Sequence, residues 1–243
     1  MNYRKYWTSL AVVVAGVSCS AARGSDTLPV EECPGALSWE REHQSAGDPA
    51  LVGSDRHSAV SEPALLEDLR LRVEKDQAAR KRWLADQGNA ALASEVDSID
   101  TANVAWLRKL ISENGFPTAA QVGKEGVHFA WLLLQHADQD PKLQSDLVSV
   151  LEQRFSAGEL PGNDLARITD RVLVASGKPQ RYGTQFDWFA GDFALPEPAR
   201  LAEIDAARAR LRLMPLADYV CTLRKARNAV MTPNTSLERT RER

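Results

Sequence analysis

The chain has 243 residues, 44% of them hydrophobic and 26% charged, with a formal net charge of -3. Its basic residues are interspersed with acids, so no basic stripe argues for nucleic acid. No segment reaches the roughly 20 consecutive apolar residues that a membrane span needs.

The N-terminus has the pattern of an export signal over residues 1–22. Arg4 and Lys5 form a positive start, Leu10 to Val17 an apolar run, and Ser20, Ala21 and Ala22 a small-residue cleavage site. The expected form is therefore an exported protein, periplasmic or secreted. Cys19 follows Gly16-Val17-Ser18 and resembles a bacterial lipidation box, although that box usually has Leu where Gly16 stands. Lipid anchoring at Cys19 is the alternative, and contact with a membrane is expected only through the signal or such an anchor. Removal of the signal leaves Cys33 and Cys221, which an oxidising compartment allows to pair.

Residues 23–62 lack periodicity and carry eight acids against Arg23, Arg41 and Arg56, a balance of -5, as in a flexible acidic arm. The body, residues 63–227, is predicted to be one compact, mainly α domain of several helices. Pro63 opens a long helix with the stripe Leu65, Leu66, Leu69, Val73, Trp83 and Leu84. Thr101 is expected to cap a second helix that stops at Asn114-Gly115. Residues 124–137 are apolar on nearly every side, as suits a central buried helix. Asp140-Pro141 opens the next helix, to about Ala157, and Asn163 or Asp164 opens another that ends near Gly177. Residues 180–195 set aromatics between Gly183 and Gly191, the composition of a small β-hairpin or an ordered loop. Two short helices, 199–212 and 215–226, precede a disordered tail from residue 228.

Several polar residues fall where apolar ones belong. On a helical wheel from Leu69, Asp76 and Arg80 stay within about 20° of the middle of the apolar stripe, and they are an (i, i+4) pair. Burying two charges has a large desolvation cost that calls for good geometry or a task. Gln77 adjoins them. The central helix closes with Gln135-His136-Ala137-Asp138, and the wheel sends His136 and Asp138 to different faces. His136 has the residue type of a general base, and the ordinary alternative for a lone His is a core imidazole bonded to one carbonyl. Asp170 and Arg171 flank Val174 on the side opposite their helix's main stripe, which suggests a second packing surface. Gln180, Tyr182 and Gln185 add neutral donors and acceptors of the kind that orient a polar ligand. His128 points away from His136, and no His-x3-His or Cys pair occurs, so no metal set is expected. No phosphate loop or nucleophile elbow is present, and no cofactor is expected.

Taken together, Asp76-Gln77-x-x-Arg80, Gly115-Phe116-Pro117, Val122-Gly123, Trp131, Gln135-His136-Ala137-Asp138, Gly158-Glu159, Asp170-Arg171 and Gln180-x-Tyr182-Gly183-Thr184-Gln185 resemble the bacterial domain of unknown function 6624 over about residues 65–220. Phe116 stands where that pattern commonly has Trp, and Lys124-Glu125 replaces small residues. The resemblance implies a shared domain and supplies no chemistry.

The expected function is a polar cleft that binds a small polar ligand or an envelope partner, gathering Asp76, Gln77, Arg80, His136, Asp138, Asp170, Arg171, Gln180, Tyr182 and Gln185. One alternative is a metal-independent hydrolase or transferase, with His136 as base and Asp138 or Asp170 as its partner. Another is an inhibitor or immunity-type protein acting through its exposed surface. Spatial convergence of these side chains separates the site from the surface.

Overall fold

The computed structural model describes residues 33–44, 60–187, 191 and 193–231. The export signal, Cys19, most of the acidic arm and the end of the tail lie outside them. The described residues form α1 (Pro34–Gln44), α2 (Pro63–Ala85), α3 (Ala90–Asn114), α4 (Ala119–Gln135), α5 (Pro141–Ser156), α6 (Gly162–Ala175), α7 (Pro198–Arg210) and α8 (Leu216–Met231). None of them is long and apolar enough to cross a membrane. The chain divides into two compact units, Ala46–Arg181 and a second made of Met1–Ser45 with Tyr182–Arg243.

The Ala46–Arg181 unit holds α2 to α6. Its long helix starts at Pro63 as predicted, and Leu69, Val73, Asp76, Ala79 and Trp83 make its buried stripe. A short turn leads to Asn89, whose side chain accepts from the N–H groups of Ala91 and Leu92 and starts α3 eleven residues before Thr101, where the sequence predicts the cap. Thr101 is inside that helix, and its Oγ1 donates to the Asp97 carbonyl at 2.8 Å. A hydroxyl that can cap a helix can also bond back one turn, and here it does the second. Trp83, Ala79, Val96 and Ile99 pack α2 against α3.

α4 packs against α2, α3, α5 and α6. It opens with a capping box in which Thr118 and Gln121 satisfy each other's backbone N–H groups. Gly123 then takes φ +70, ψ 168 and kinks the chain, so the predicted start at residue 124 coincides with the second, longer piece. A side chain at Gly123 would be strained by the positive φ. Gly126 serves close approach instead, because a Cβ there would run into Val122 and meet Leu66 of α2. Val127, Ala130, Trp131, Leu133 and Leu134 are buried, each large apolar side chain contributing about 1.5–3 kcal/mol. Asp140 caps α5 by accepting from the Leu143 N–H at 3.1 Å, as predicted, and also pairs with Arg108 of α3.

In the other unit, α1 and α8 are joined by a disulfide between Cys33 and Cys221, with Cα atoms 5.8 Å apart. Part of the predicted flexible arm is thus a helix with a covalent anchor. Phe193, Ile204, Leu216 and Val220 form a core cluster. Residues 182–187 are an ordered loop that bends at Tyr182 and Gly183, and no β-ladder beyond a single bridge residue at Asp187 forms among the described residues. Arg208 takes the place of a pairing strand: its Nη1 donates to the Tyr182 carbonyl at 2.8 Å, and its Nε to that of Met214.

Candidate functional site

α2, α3 and the C-terminal end of α4 bring four ionisable side chains into one cluster. Asp76 accepts from Arg80 Nε (3.2 Å) and from Gln77 Nε2 (2.8 Å), and His136 Nδ1 lies 3.1 Å from the same carboxylate. Arg80 Nη2 reaches Asp100 of α3 at 2.5 Å. Arg80 Nε also lies 3.0 Å from His136 Nδ1. The Arg80 Nε–H points at Nδ1, so Nδ1 accepts from Arg80 in one tautomer and donates to Asp76 in the other. In the second tautomer the imidazole proton is on Nδ1 and Nε2 carries a lone pair.

The surroundings keep the ring neutral. Burial pushes the His136 imidazole toward its neutral form, and the nearby charges of Arg80 and Arg171 add to that, outweighing Asp76. Only 8% of His136 is exposed, yet Nε2 has no partner among the described residues and is not enclosed. For Asp76, which is 1% exposed, burial opposes ionisation, but His136, Arg80 and Gln77 hold the carboxyl well below the ordinary carboxylate range. Asp100 goes the other way. Burial pushes it up to about 7, the charges of Asp76 and Asp138 add to the rise, and Arg80 only partly offsets them.

Asp138 and Arg171 adjoin this cluster. Arg171 Nη1 of α6 donates to Asp138 Oδ1 at 2.5 Å, and Gln144 Nε2 caps the α4 carbonyls of Leu134 and Gln135. Asp138 is 42% exposed and forms the wet side of the arrangement. Gln135 precedes His136, one turn after Trp131. It is 1% exposed, and neither of its amide atoms has a partner among the described residues. An unpaired buried polar group costs about 1–3 kcal/mol, so packing alone is a poor reason to keep it.

Of the residues singled out in the sequence, Asp76, Gln77, Arg80 and His136 are therefore in contact, and Asp138 with Arg171 is within electrostatic reach. Asp170 is fully buried and accepts the backbone N–H of Arg181 at 2.7 Å, which ties the end of α6 to the chain that follows. That contact is structural. Gln180 is half-buried at the end of the same unit, whereas Tyr182 and Gln185 belong to the other one, where Gln185 Nε2 donates to Thr184 Oγ1.

Asp100 is absent from the sequence prediction, although the wheel applied to α2 finds it on α3: it lies one turn from Val96 and two from Leu107, on the buried side. A second pair was also missed. His128 Nδ1 lies 2.6 Å from Asp164 of α6, and the imidazole stacks on Trp131, whose Nε1 donates to the Asp164 carbonyl. Burial alone would lower the His128 pKa, but the hydrogen bond and charge of Asp164 raise it.

Ligating atoms of Asp76, Asp100 and His136 lie within 4.8 Å of one another, a separation that suits a metal ion. The guanidinium of Arg80 already bridges those carboxylates and supplies the positive charge there.

A profile described as a family of unknown function, DUF6624, matches residues 63–230, a region that runs through both units. No curated protein and no solved structure matches the chain. Phe116, at the position where the sequence pattern departs, is buried, and its carbonyl accepts from Arg154 Nη2.

Proposed function

The chain belongs to the DUF6624 family, and on the geometry alone we propose that its Ala46–Arg181 unit binds a small polar ligand at the Asp76–Arg80–Asp100–His136 cluster. One observation carries this: a buried His136 has Nδ1 held by a carboxylate while Nε2 is left open. A histidine serving the core alone needs only one hydrogen bond, and it would not need three charged neighbours, Asp76, Arg80 and Arg171, whose desolvation is costly. The burial of these groups favours a site over an inhibitor or immunity-type surface, which would expose them.

A second reading, acid–base chemistry on the bound ligand, is favoured by the Asp76–His136 contact. A carboxylate on Nδ1 orients the ring and stabilises the imidazolium formed when Nε2 takes a proton. Asp100, with its carboxyl near neutrality, can return one. Export, periplasmic or secreted location and the lipid alternative at Cys19 belong to the same proposal, and the Cys33–Cys221 bond supports an oxidising compartment.

The test is a thermal-shift screen of small polar metabolites and envelope fragments against the wild type and His136→Gln, with far-UV circular dichroism to establish that the variant folds. A compound that raises the wild-type Tm and leaves a folded variant unmoved supports the site. Equal shifts in both, or none in the wild type, overturn it. Turnover of such a compound with a rate that rises with pH through the His136 titration supports the base.

A further inference from the structure

His136 Nδ1 lies between a donor and an acceptor, with Arg80 Nε 3.0 Å away and an Asp76 oxygen also at 3.0 Å. The neutral ring carries one hydrogen, and its two tautomers spend it differently. With the hydrogen on Nε2, Nδ1 accepts from Arg80 but turns a lone pair toward the Asp76 carboxylate. With it on Nδ1, the ring donates to Asp76 but sets its N–H against that of Arg80. Each tautomer gains one charge-assisted hydrogen bond and meets one repulsion. Their energies are therefore close, and the position of Arg80 decides between them.

What fixes Arg80 belongs to another helix. Its Nη2 donates to Asp100 Oδ1 of α3 at 2.5 Å. Its Nε is 3.2 and 3.4 Å from the two oxygens of Asp76, farther than from Nδ1. A guanidinium beside a single carboxylate tends to close on it as a two-pronged fork. Asp100 draws the far side of the guanidinium away from that fork and leaves the Nε–H aimed at the ring. Asp100 thus competes with Asp76 for Arg80, and the result is felt at Nδ1.

We propose, taking this cluster as the ligand site, that Asp100 is a positioning residue: by holding Arg80 it keeps the His136 hydrogen on Nε2, so that the ring meets its ligand as a hydrogen-bond donor. Nε2 has no partner among the described residues and is not enclosed, which leaves that hydrogen available to a ligand oxygen. Release of Arg80 by Asp100 turns the same nitrogen into an acceptor and a base. Binding and acid–base chemistry then belong to two states of one ion pair. The charged groups that face the ring are Asp76 and Arg80 of α2 and Arg171 of α6, and those that face Asp100 are Arg80, Asp76 and Asp138. Burial with the charges of Asp76 and Asp138 pushes the Asp100 carboxyl up to about 7, so its protonation near neutrality is one way of opening the pair. An open pair therefore has Asp100 protonated, as an acid must be, and a lone pair on Nε2, as a base requires.

The test reads the tautomer itself, by NMR of the ligand-free full chain labelled with 15N at histidine. Couplings between the ring nitrogens and the carbon-bound ring hydrogens tell a protonated nitrogen from a bare one. At about pH 8, where the folded Asp100 carboxyl is ionised, wild-type His136 is expected to carry its hydrogen on Nε2. Asp100→Asn leaves a neutral acceptor for Arg80, and Asp100→Ala leaves none. The tautomer ratio is expected to move toward Nδ1–H in that order, by about tenfold for the second, the worth of one charge-assisted hydrogen bond. The Asn variant keeps the side-chain shape and carries the test should the Ala variant misfold. Asp138→Asn removes a neighbouring charge without touching Arg80 and is expected to leave the ratio as in the wild type. Hydrogen on Nδ1 in the wild type, or a ratio unmoved by either Asp100 variant, overturns the proposal. So does an equal movement in Asp138→Asn, which would make local charge the cause instead of the hold on Arg80. No ligand takes part, so either failure leaves the metabolite screen to decide the ligand site separately.

Discussion

Asp100→Asn isolates the energetic cost of the most perturbed carboxyl in the cluster. Asn has nearly the same shape and can still accept from Arg80 Nη2, but it does not ionise. The Asp100 carboxyl is raised from an ordinary 3.8 to about 7. A group whose folded pKa is raised contributes stability that is fully present below its unfolded pKa and lost as pH rises to the folded value. For these two values the loss between pH 5 and pH 8 is about 2–3 kcal/mol, with a slope near 1.4 kcal/mol per pH unit until the folded group begins to ionise. Urea unfolding of wild type and variant at pH 5, 6, 7 and 8 measures it. The variant is expected to gain on the wild type steadily from pH 5 to 7 and to level off above. A difference that stays constant with pH would mean that Asp100 ionises normally, and the argument from burial and from Asp76 and Asp138 would fail.

Three further outcomes follow from other contacts. Asp76→Asn removes the carboxylate that pairs Arg80 and His136, so urea unfolding at pH 7 should record a loss of about 3–5 kcal/mol, and the His136 pKa should fall further in an NMR titration. At His128 the pKa is raised, so its contribution is present below an ordinary imidazole pKa and lost as pH rises through the folded one. Asp164→Asn should move the His128 NMR titration downward and abolish that pH dependence. Gly126→Ala forces a Cβ against Val122 and Leu66, and denaturant unfolding should record a loss of about 1–3 kcal/mol, whereas an unchanged midpoint would mean that α2 and α4 separate freely.

What the sequence revealed depended on how local the deciding interaction was. Pro63, Asp140 with Pro141, and the end of α6 near Gly177 were legible because caps and turns act within four residues. Asp76 and Arg80 were legible because a single helix supplies both the stripe and the pair. Asp100 was hidden by Thr101, whose hydroxyl is equally suited to a cap and to a bond one turn back. His128 was judged without its partner, because Asp164 is 36 positions away and only packing of α4 on α6 brings them together. The Gln180–Gln185 run is a different case. Its polar side chains are read from sequence as one set, and the chain passes from one compact unit to the other between Arg181 and Tyr182.

The Cys33–Cys221 bond spans 188 positions and begins before the family-matched region. It makes everything between those cysteines a covalently closed ring, with the whole Asp76–His136 cluster inside it. A single protease cut within that ring, such as in the 86–89 turn, would open the loop without dividing the molecule. The fragments should migrate as one species until a reductant is added. The bond thus guards against loss of parts after damage, a property distinct from any contribution it makes to folding.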